Sequence, residues 1–260
     1  MANPRVLIVR APGTNCDQET AYAFERAGGT PEIFHINRLL ESPRELLQYQ
    51  LLCIPGGFSF GDDLAAGRIF ATHIRKHLAN VLAEFKAAGK LILGICNGFQ
   101  VLIKSGVLLS DDAHGHPATL TMNESGKYED RWVHLQVTGN TCVFLQGIDS
   151  LYLPIAHAEG KFVARDGETL GALEQHGQLA LRYATGNPLD HAASIPYPQN
   201  PNGSQANVAG ICDPSGRVFG LMPHPERHID RTHHPRWTRN EGRDPGDGLQ
   251  IFQNAIRHLR

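Results

Sequence analysis

The residues best suited to chemistry surround a cysteine that is flanked by two glycines. The segment Lys90-Leu-Ile-Leu-Gly-Ile-Cys96-Asn-Gly-Phe-Gln100 is an apolar run that ends at Cys96, with a glycine two positions before and two positions after the thiol. This spacing is the thiol counterpart of the nucleophile elbow, where a strand turns sharply into a helix and the nucleophile projects above the sheet. A helix that begins at about Asn97 would place its positive end beside the sulfur and favour the thiolate. We therefore predict a nucleophile at Cys96, although a cysteine at the end of a buried strand is often only a small core residue.

A histidine and a carboxylate near the end of the chain could serve this thiol as a base and its orienting group. They lie in Pro223-His-Pro-Glu226, where Pro225 disfavours helical geometry at His224. In an extended chain the side chains of positions i and i+2 point the same way, so His224 and Glu226 would share a face. A carboxylate there can fix the imidazole tautomer and stabilise the imidazolium. A lone H-x-E is ordinarily a surface turn, and only its combination with the elbow predicts a catalytic triad.

An oxyanion hole would complete such a site, and it requires backbone N–H donors rather than a special side chain. Gly56 and Gly57 follow the short apolar run 51–54, and a glycine N–H can approach a substrate closely. A neighbouring parallel strand would bring Gly57 beside the elbow, where the amide of Asn97 supplies a second donor. The two glycines could also simply form a turn, and the functional prediction is compatible with that.

The elements that would position these groups alternate between strands and helices in the first half of the chain. We predict strands at residues 5–10, 31–37, 51–54 and 90–95 and helices at 18–27, at 68–88 and after Cys96. This order indicates an α/β fold with a doubly wound, mostly parallel central sheet and helices on both faces. Open sheets of this kind place their sites at the carboxyl ends of the strands, which is where Cys96 lies.

The second half of the chain changes to short β segments, which predicts an antiparallel extension of the same sheet. They are expected at residues 118–122, 131–137, 142–144, 152–156, 160–163, 179–183, 208–212 and 218–222, with a closing helix at 249–259. Neither a long linker nor a repeat is visible, so we assign residues 1–260 to a single domain. The loop 186–204 is of a length that is often functional, and 231–248 is expected to be a solvated surface excursion.

Charge and cysteine content argue against several classes of function. The 24 Lys and Arg residues against 26 Asp and Glu leave a net charge of -2, which gives no support to binding of nucleic acid or an acidic membrane. No apolar run approaches the roughly 20 residues of a membrane helix, and no signal peptide is visible. The five cysteines lack a C-x-x-C pair, so we expect a reducing cytoplasm without disulfides or structural zinc. The adjacent His233 and His234 would point apart, so no metal site is expected.

Several of these motifs together carry a family resemblance. In their order and separation, Pro55-Gly-Gly57, Gly94-Ile-Cys-Asn-Gly-Phe-Gln100 and Pro223-His-Pro-Glu226 resemble the motifs of class I (triad) glutamine amidotransferases, which implies a flavodoxin-like fold. Other segments more narrowly resemble the glutaminase subunits of phosphoribosylformylglycinamidine synthase, namely Gly56-Gly-Phe-Ser-Phe-Gly-Asp-Asp63, Asn123-Glu-Ser-Gly-Lys-Tyr-Glu-Asp-Arg131-Trp132, Pro154-Ile-Ala-His-Ala-Glu-Gly160 and Tyr197-Pro-Gln-Asn-Pro-Asn-Gly-Ser204. The stretch 231–248 departs from the resemblance, because it is longer than expected for a separate subunit.

The resemblance implies hydrolysis of glutamine through a thioester on Cys96, with His224 as base, Glu226 as its orienting group, and the Gly57 and Asn97 amides as oxyanion donors. The residues expected to contact glutamine are Gln100, Asn123 and Arg131, and the glycines of the elbow are expected to leave room for the planar carboxamide. The ammonia would pass to a large synthetase subunit, with or without a small bridging subunit. That partner would use ATP and Mg to convert formylglycinamide ribonucleotide to the amidine. No cofactor is expected in this chain, which has no phosphate-binding G-x-x-x-x-G-K-[ST] motif.

Two other classes of protein could use a cysteine elbow on such a sheet. A cysteine peptidase or a chaperone-like hydrolase of this fold usually has its histidine soon after the nucleophile, whereas Asn97 follows Cys96 here and His224 is distant. A scaffold that has lost its activity is the second alternative. The intact cysteine, histidine and glutamate argue against it.

Overall fold

A computed structural model describes residues 3–139, 141–187 and 194–260 of the chain. The strands are β1 (Arg5–Arg10), β2 (Thr30–His35), β3 (Leu51–Ile54), β4 (Leu91–Ile95), β5 (Ala118–Thr121), β6 (Glu129–Val137), β7 (Ser150–His157), β8 (Lys161–Ala164), β9 (Leu181–Ala184), β10 (Val208–Cys212) and β11 (Val218–Leu221). The helices are α1 (Asp17–Arg26), α2 (Ile36–Glu41), α3 (Arg68–His73), α4 (Ala79–Ala87), α5 (Asn97–Lys104), α6 (Gly167–Gln175) and α7 (Leu249–His258).

Nine of the strands form one continuous sheet that begins parallel and ends antiparallel. Their order is β2-β1-β3-β4-β11-β10-β9-β6-β7, and β5 pairs with β8 in a separate antiparallel ribbon. The first five strands run parallel, and each later pairing in the large sheet is antiparallel. The mostly parallel sheet and its antiparallel extension are therefore confirmed. The assignment of residues 1–260 to a single domain stays a prediction, which the continuity of this sheet supports.

Helices cover both faces of the parallel part because its strands are apolar on both sides. Two residues of β1 that point to opposite faces of the sheet show this. Val6 packs with Ile256 of α7 against Gly29, whereas Val9 lies with Phe70 of α3 around a small void. On the first face, α1 and α7 also meet through an edge-to-face contact of Phe24 with Phe252, whose ring centroids are 4.9 Å apart. The central strands β3 and β4 are buried along their whole length, and their carboxyl ends carry the candidate site.

The stretch 231–248 covers an edge strand instead of being wholly solvated. Many of its side chains are exposed, but a buried carboxylate, Asp247, accepts a 2.8 Å hydrogen bond from the backbone N–H of Tyr152 in β7. On the same residue, the carbonyl oxygen of Tyr152 lies 2.8 Å from Nδ1 of the buried His228. Both outward-facing polar groups at this point of the edge strand are thus satisfied within the chain, which blocks pairing with another strand. The expectation of a solvated surface excursion holds for most of this stretch, whose exposed residues are 232, 233 and 235–245, but Asp247 ties its end to the edge strand.

Other departures from the sequence-based elements have local causes. Residues 142–144 were expected to form a strand, but Val143–Leu145 is a 3-10 turn. Its Phe144 carbonyl oxygen accepts a 3.0 Å hydrogen bond from the side-chain amide of Asn254 in α7. The helix expected at 68–88 contains a π-helical segment, Ile74–Leu78, between α3 and α4. Helix α6 was not anticipated, although Asp166 caps it by accepting a 2.7 Å hydrogen bond from Thr169 N.

Within the described ranges, no helix is long and apolar enough to cross a membrane. The predicted loop 186–204 includes residues 188–193, which lie outside the described residues, and its described part contains a buried side-chain network around Asn200, Asn202 and Ser204.

Candidate active site

Cys96 occupies a strained position between β4 and α5, as expected for a nucleophile elbow. Its backbone has φ 50° and ψ -104°, a conformation that a residue with a side chain rarely adopts. The turn is held by a 2.8 Å hydrogen bond from Cys96 N to Leu221 O of the neighbouring β11. The thiol is largely buried, with 5% of the residue exposed, and it lies 3.7 Å from Ala156 O. Since strained residues of this kind persist mostly at functional sites, the geometry supports a catalytic thiol.

The two glycines of the elbow make room for the protein itself. A Cβ atom on Gly98 would lie 1.8 Å from the carbonyl oxygen of Ile54 in β3, and one on Gly94 would lie 2.7 Å from Gly98 O. These glycines were expected to leave room for a substrate carboxamide, but the space where their Cβ atoms would lie is filled by the protein itself, so this explanation of the glycines is wrong. They allow α5 to begin in direct contact with the end of β3, which fixes the elbow relative to the loop that follows β3.

His224 and Glu226 lie directly after β11, the strand that pairs with β4 in the sheet. The imidazole Nδ1 is 2.6 Å from Glu226 Oε1, and 2% or less of either side chain is exposed. Burial alone would lower the pKa of His224, but the neighbouring Glu226 and Cys96 outweigh burial and raise that pKa well above its usual value. The Cys96 thiol is a neighbour of the same imidazole, because its interaction with the ring contributes to this rise in pKa. Nε2 of the ring makes no hydrogen bond within the described residues and is left for the thiol. A thiol, a base and an orienting carboxylate are thus in the order that acyl transfer requires.

The route by which His224 and Glu226 meet differs from the expected one. His224 is non-helical, with ψ 89°, in agreement with the effect of Pro225, but Pro225–Arg227 forms a 3-10 turn and not an extended chain. The two side chains are therefore brought together by the turn. The space for the imidazole comes from Gly56, because a Cβ atom there would lie 2.8 Å from the ring carbon Cε1 of His224.

The loop after β3 lies beside the elbow and carries the predicted oxyanion donors. Gly57 has φ 138°, which favours glycine, and its flanking peptides are tied to the loop after β1 by hydrogen bonds from Cys16 N to Gly56 O and from Phe58 N to Gly13 O. The side chain of Asn97 connects this loop to α5, since its Oδ1 accepts from Ser59 N at 3.2 Å. The roles of the Gly57 and Asn97 amides as donors stay predictions, and this bracing of the two segments supports them.

The three residues expected to contact glutamine are all already engaged within the protein. The amide of Gln100 accepts from Asn97 Nδ2 at 2.9 Å and donates to Glu159 O. Asn123 is 2% exposed, and its amide group bonds the backbone of Lys127, His157 and Gly160 and the ring of His157. Arg131 pairs with Glu129 and donates to the Tyr197 hydroxyl at 2.7 Å. Their contacts with a substrate stay predictions, and Asn123 has the least capacity left for one.

Several residues near the thiol were not assigned a place at the site from the sequence. His157 is buried beneath the site, where burial and the nearby His224 lower its pKa to about 3, so it is neutral. The rings of Phe58 and Tyr128 stack 6.4 Å apart and are both partly exposed, and burial together with the Cys96 charge raises the pKa of Tyr128. These two aromatic rings therefore border the approach to Cys96. Both residues lie in segments that carry the family resemblance, but the sequence alone does not show that these two loops meet.

A second cysteine also reaches the base. Cys16 follows β1, its residue is 1% exposed, and its sulfur accepts a 3.1 Å hydrogen bond from the Arg227 guanidinium. Its thiol lies beside His224, because a Cβ atom on Gly56 would meet both the His224 ring and the Cys16 sulfur, the latter at 3.1 Å. Cys16 belongs to the chain segment that packs against Gly56 and Gly57. Position was the signal that could have found it, because β1 is parallel to β3 and β4 and its carboxyl end meets the same edge of the sheet.

Known proteins resemble this chain in both sequence and structure. Residues 3–259 match a family model described as a CobB/CobQ-like glutamine amidotransferase domain. The chain is 48% identical to phosphoribosylformylglycinamidine synthase subunit PurQ of Dehalococcoides mccartyi, across 100% of this chain and 99% of that relative. It is 42% identical to the subunit of the same name from Methanococcus maripaludis, across 98% and 97% of the two chains. The solved structure of PurLQS from Thermotoga maritima contains a chain that matches with a TM-score of 0.73 and 33% identity, covering 99% of this chain and 100% of that one.

Proposed function

The chain belongs to the CobB/CobQ-like glutamine amidotransferase family, and from this premise we propose that it is the glutaminase subunit of phosphoribosylformylglycinamidine synthase. The observation that carries the proposal is the strained Cys96 thiol, which neighbours the buried, hydrogen-bonded pair His224–Glu226. Full-length similarity to subunits that bear this name supports the specific assignment. Family membership also decides against a peptidase or chaperone-like hydrolase.

The arrangement suits hydrolysis of the side-chain amide of glutamine in two steps. The Cys96 sulfur attacks the amide carbon, and the N–H groups of Gly57 and Asn97 hold the negative charge that forms on the carbonyl oxygen. His224 gives a proton to the departing nitrogen, which leaves as ammonia, and a thioester remains on Cys96. His224 then removes a proton from water, which attacks the thioester and releases glutamate and the thiol. Glu226 stabilises the imidazolium that exists between these transfers.

The glutamine is proposed to lie over α5, with Gln100, Asn123 and Arg131 around it. Gln100 lies one helical turn after Cys96 and therefore on the same face of α5. Asn123 shapes the pocket by holding the loop 157–160. Arg131 has a guanidinium that suits a carboxylate, although Glu129 already occupies part of its hydrogen-bonding capacity.

The ammonia is proposed to pass to a large synthetase subunit that uses ATP and Mg, with or without a small bridging subunit. The name of the Thermotoga maritima assembly, PurLQS, supports this division of labour. The partly exposed rings of Phe58 and Tyr128 border the approach to Cys96, so a partner that covered them would also shield the ammonia from water. A cytoplasmic location, the absence of a cofactor from this chain, and a lack of binding to nucleic acid or membranes stay predictions.

The proposal is tested by replacing Cys96 with Ala in the complete synthase. We expect glutamine-dependent turnover to disappear while turnover with ammonium salts continues, because the ATP-dependent reaction takes place on the partner. Cys142→Ala, which alters another buried thiol, is the matched control and should retain both activities. Loss of the ammonium-dependent reaction in a Cys96→Ala complex that is still assembled would contradict the division of labour. Persistent glutamine-dependent turnover would contradict the role of the thiol.

A further inference from the structure

The second cysteine, Cys16, forms with His224 and Glu226 a compact group of three potential metal ligands. One ligand atom from each residue lies within 4.8 Å of the other two, and all three residues are buried. In the part of the chain that the structure describes, no other trio of Cys, His, Asp and Glu side chains is this compact. The sequence argument against a metal site considered His233 and His234, and it missed this group because its members are far apart in the chain.

One polar atom of the group lacks a hydrogen-bond partner and has no part in the proposed reaction. Glu226 Oε2 is buried and makes no hydrogen bond within the described residues. A buried acceptor without a partner is costly, and in native structures a bound ion is one explanation for such an atom. The Glu226 carboxylate lies on the Nδ1 side of the His224 ring, so Nδ1, this carboxylate and the Cys16 sulfur are the donors that one cation could contact together. This is a donor set that Zn²⁺ accepts, with a water molecule as the fourth tetrahedral ligand.

We propose that Cys16, His224 and Glu226 form an inhibitory site for a thiophilic divalent cation of the Zn²⁺ class. Binding would release two protons to water, the thiol proton of Cys16 and the ring proton between His224 Nδ1 and Glu226, and the cation would form bonds to the sulfur and to Nδ1. Arg227 would remain as an outer donor to that sulfur, 3.1 Å away, as N–H groups commonly do around metal-bound ligands. The cation would occupy the base and its carboxylate and leave the Cys96 thiol unbound. The inhibition, but not the binding, rests on the proposed glutaminase function.

The alternative is that a cation bridges Cys96 and His224, which would inhibit any cysteine–histidine enzyme. A Cys96→Ala chain removes that possibility, and the other thiols, Cys53, Cys142 and Cys212, are all buried. Co²⁺ is the probe, because its bonds to thiolate give a sulfur-to-metal charge-transfer absorption. We expect Cys96→Ala to bind one Co²⁺ with this absorption, to release it to Zn²⁺, and to lose it when Cys16 is also replaced by Ser. No absorption in Cys96→Ala, or the same absorption after Cys16→Ser, would overturn the proposal.

Inhibition is measured separately, as glutamate release by the complete synthase over a range of free Zn²⁺ concentrations. Removing a residue that only hydrogen-bonds a metal ligand already lowers metal affinity by about 10- to 100-fold. Loss of the sulfur ligand itself in Cys16→Ser should therefore raise the inhibitory Zn²⁺ concentration by at least about 100-fold. Cys142→Ala should keep the sensitivity of the unmodified enzyme. Equal sensitivity of Cys16→Ser and the unmodified enzyme would refute inhibition through this site. An inactive unmodified enzyme that still shows the Co²⁺ absorption would contradict the proposed function and leave the metal site supported.

Discussion

The charge of Glu226 should account for a large part of the catalytic rate. Glu226→Gln keeps the size of the side chain and an oxygen that can accept from His224 Nδ1, but it removes the negative charge. Both partners are buried and their atoms are 2.6 Å apart, so water screens the interaction poorly. The variant therefore separates the charge of the carboxylate from its hydrogen bond.

The magnitude follows from the geometry. Two unit charges about 4 Å apart, as is reasonable for charges that are spread over a ring and a carboxylate, interact by about 4 kcal/mol at an effective dielectric constant of 20. Each factor of ten in rate corresponds to about 1.4 kcal/mol. Because the imidazolium forms as His224 takes the thiol proton, most of this energy is lost from the transition state. We expect kcat/KM for glutamine to fall by about 1000-fold.

The assay is glutamate release by the assembled synthase, with EDTA well below the Mg²⁺ concentration, so that it removes Zn²⁺-class ions but leaves Mg²⁺ for the partner. Glu19→Gln is the matched control, because Glu19 is a carboxylate that accepts a hydrogen bond from the neighbouring Arg227 side chain, at 2.8 Å, but is not bonded to His224. The control should change kcat/KM by less than about threefold, because this half-buried ion pair does not touch the base. If Glu226→Gln retained more than a tenth of the activity of the unmodified enzyme in a folded complex, electrostatic stabilisation of the imidazolium would be refuted.

Two further predictions concern stability. Gly98→Ala should destabilise the chain by at least about 3 kcal/mol in urea unfolding, because its Cβ would lie 1.8 Å from Ile54 O. The control Gly171→Ala lies in open space on α6 and should stabilise the chain by about 0.5–1 kcal/mol. Equal effects of the two substitutions would contradict the packing argument. Burial lowers the pKa of His157 to about 3 in the folded chain, whereas the pKa of a histidine in the unfolded chain is about 6.5. Between about pH 6.5 and pH 3 the unfolded chain therefore binds one more proton than the folded chain, so the free energy of unfolding decreases as the pH falls. Between pH 7 and pH 5 the unmodified chain should therefore lose about 2 kcal/mol more unfolding free energy than His157→Gln, and parallel losses would show that His157 is not buried in its neutral form.

The parts of the site that depend on local chain geometry could be predicted from the sequence. The elbow at Cys96 follows from an apolar strand, two glycines and a helix start, and the parallel order of β3 and β4 follows from the alternation of strands and helices. The pairing of His224 with Glu226 was predicted correctly, but from an extended geometry that the 3-10 turn replaces. Contacts between separate loops could not be predicted from the sequence. No local sequence pattern indicates, for example, that Cys16 lies beside His224.

The burial of polar side chains shows the same limit. Gln100 and Asn123 are polar residues at suitable positions, and a substrate role was natural for both. That role stays a prediction, and in the structure their amide groups connect α5 and the loop 157–160 to the rest of the chain. Whether a polar side chain faces a ligand or holds a loop depends on which backbone groups lack partners nearby, and these are known only once the segments are packed.

The position of β11 in the sheet has a consequence for how the enzyme comes into being. This strand lies between β4 and β10, yet it is the last strand in the sequence, so the pairings that bring the base to the thiol join distant parts of the chain and are expected to form slowly. During synthesis, Cys96 emerges long before His224, and β4 keeps an unpaired edge until residues 218–221 have been made. A partly synthesised chain is consequently vulnerable to aggregation through that edge. It also holds a nucleophile without its base, so ammonia production must await a complete chain.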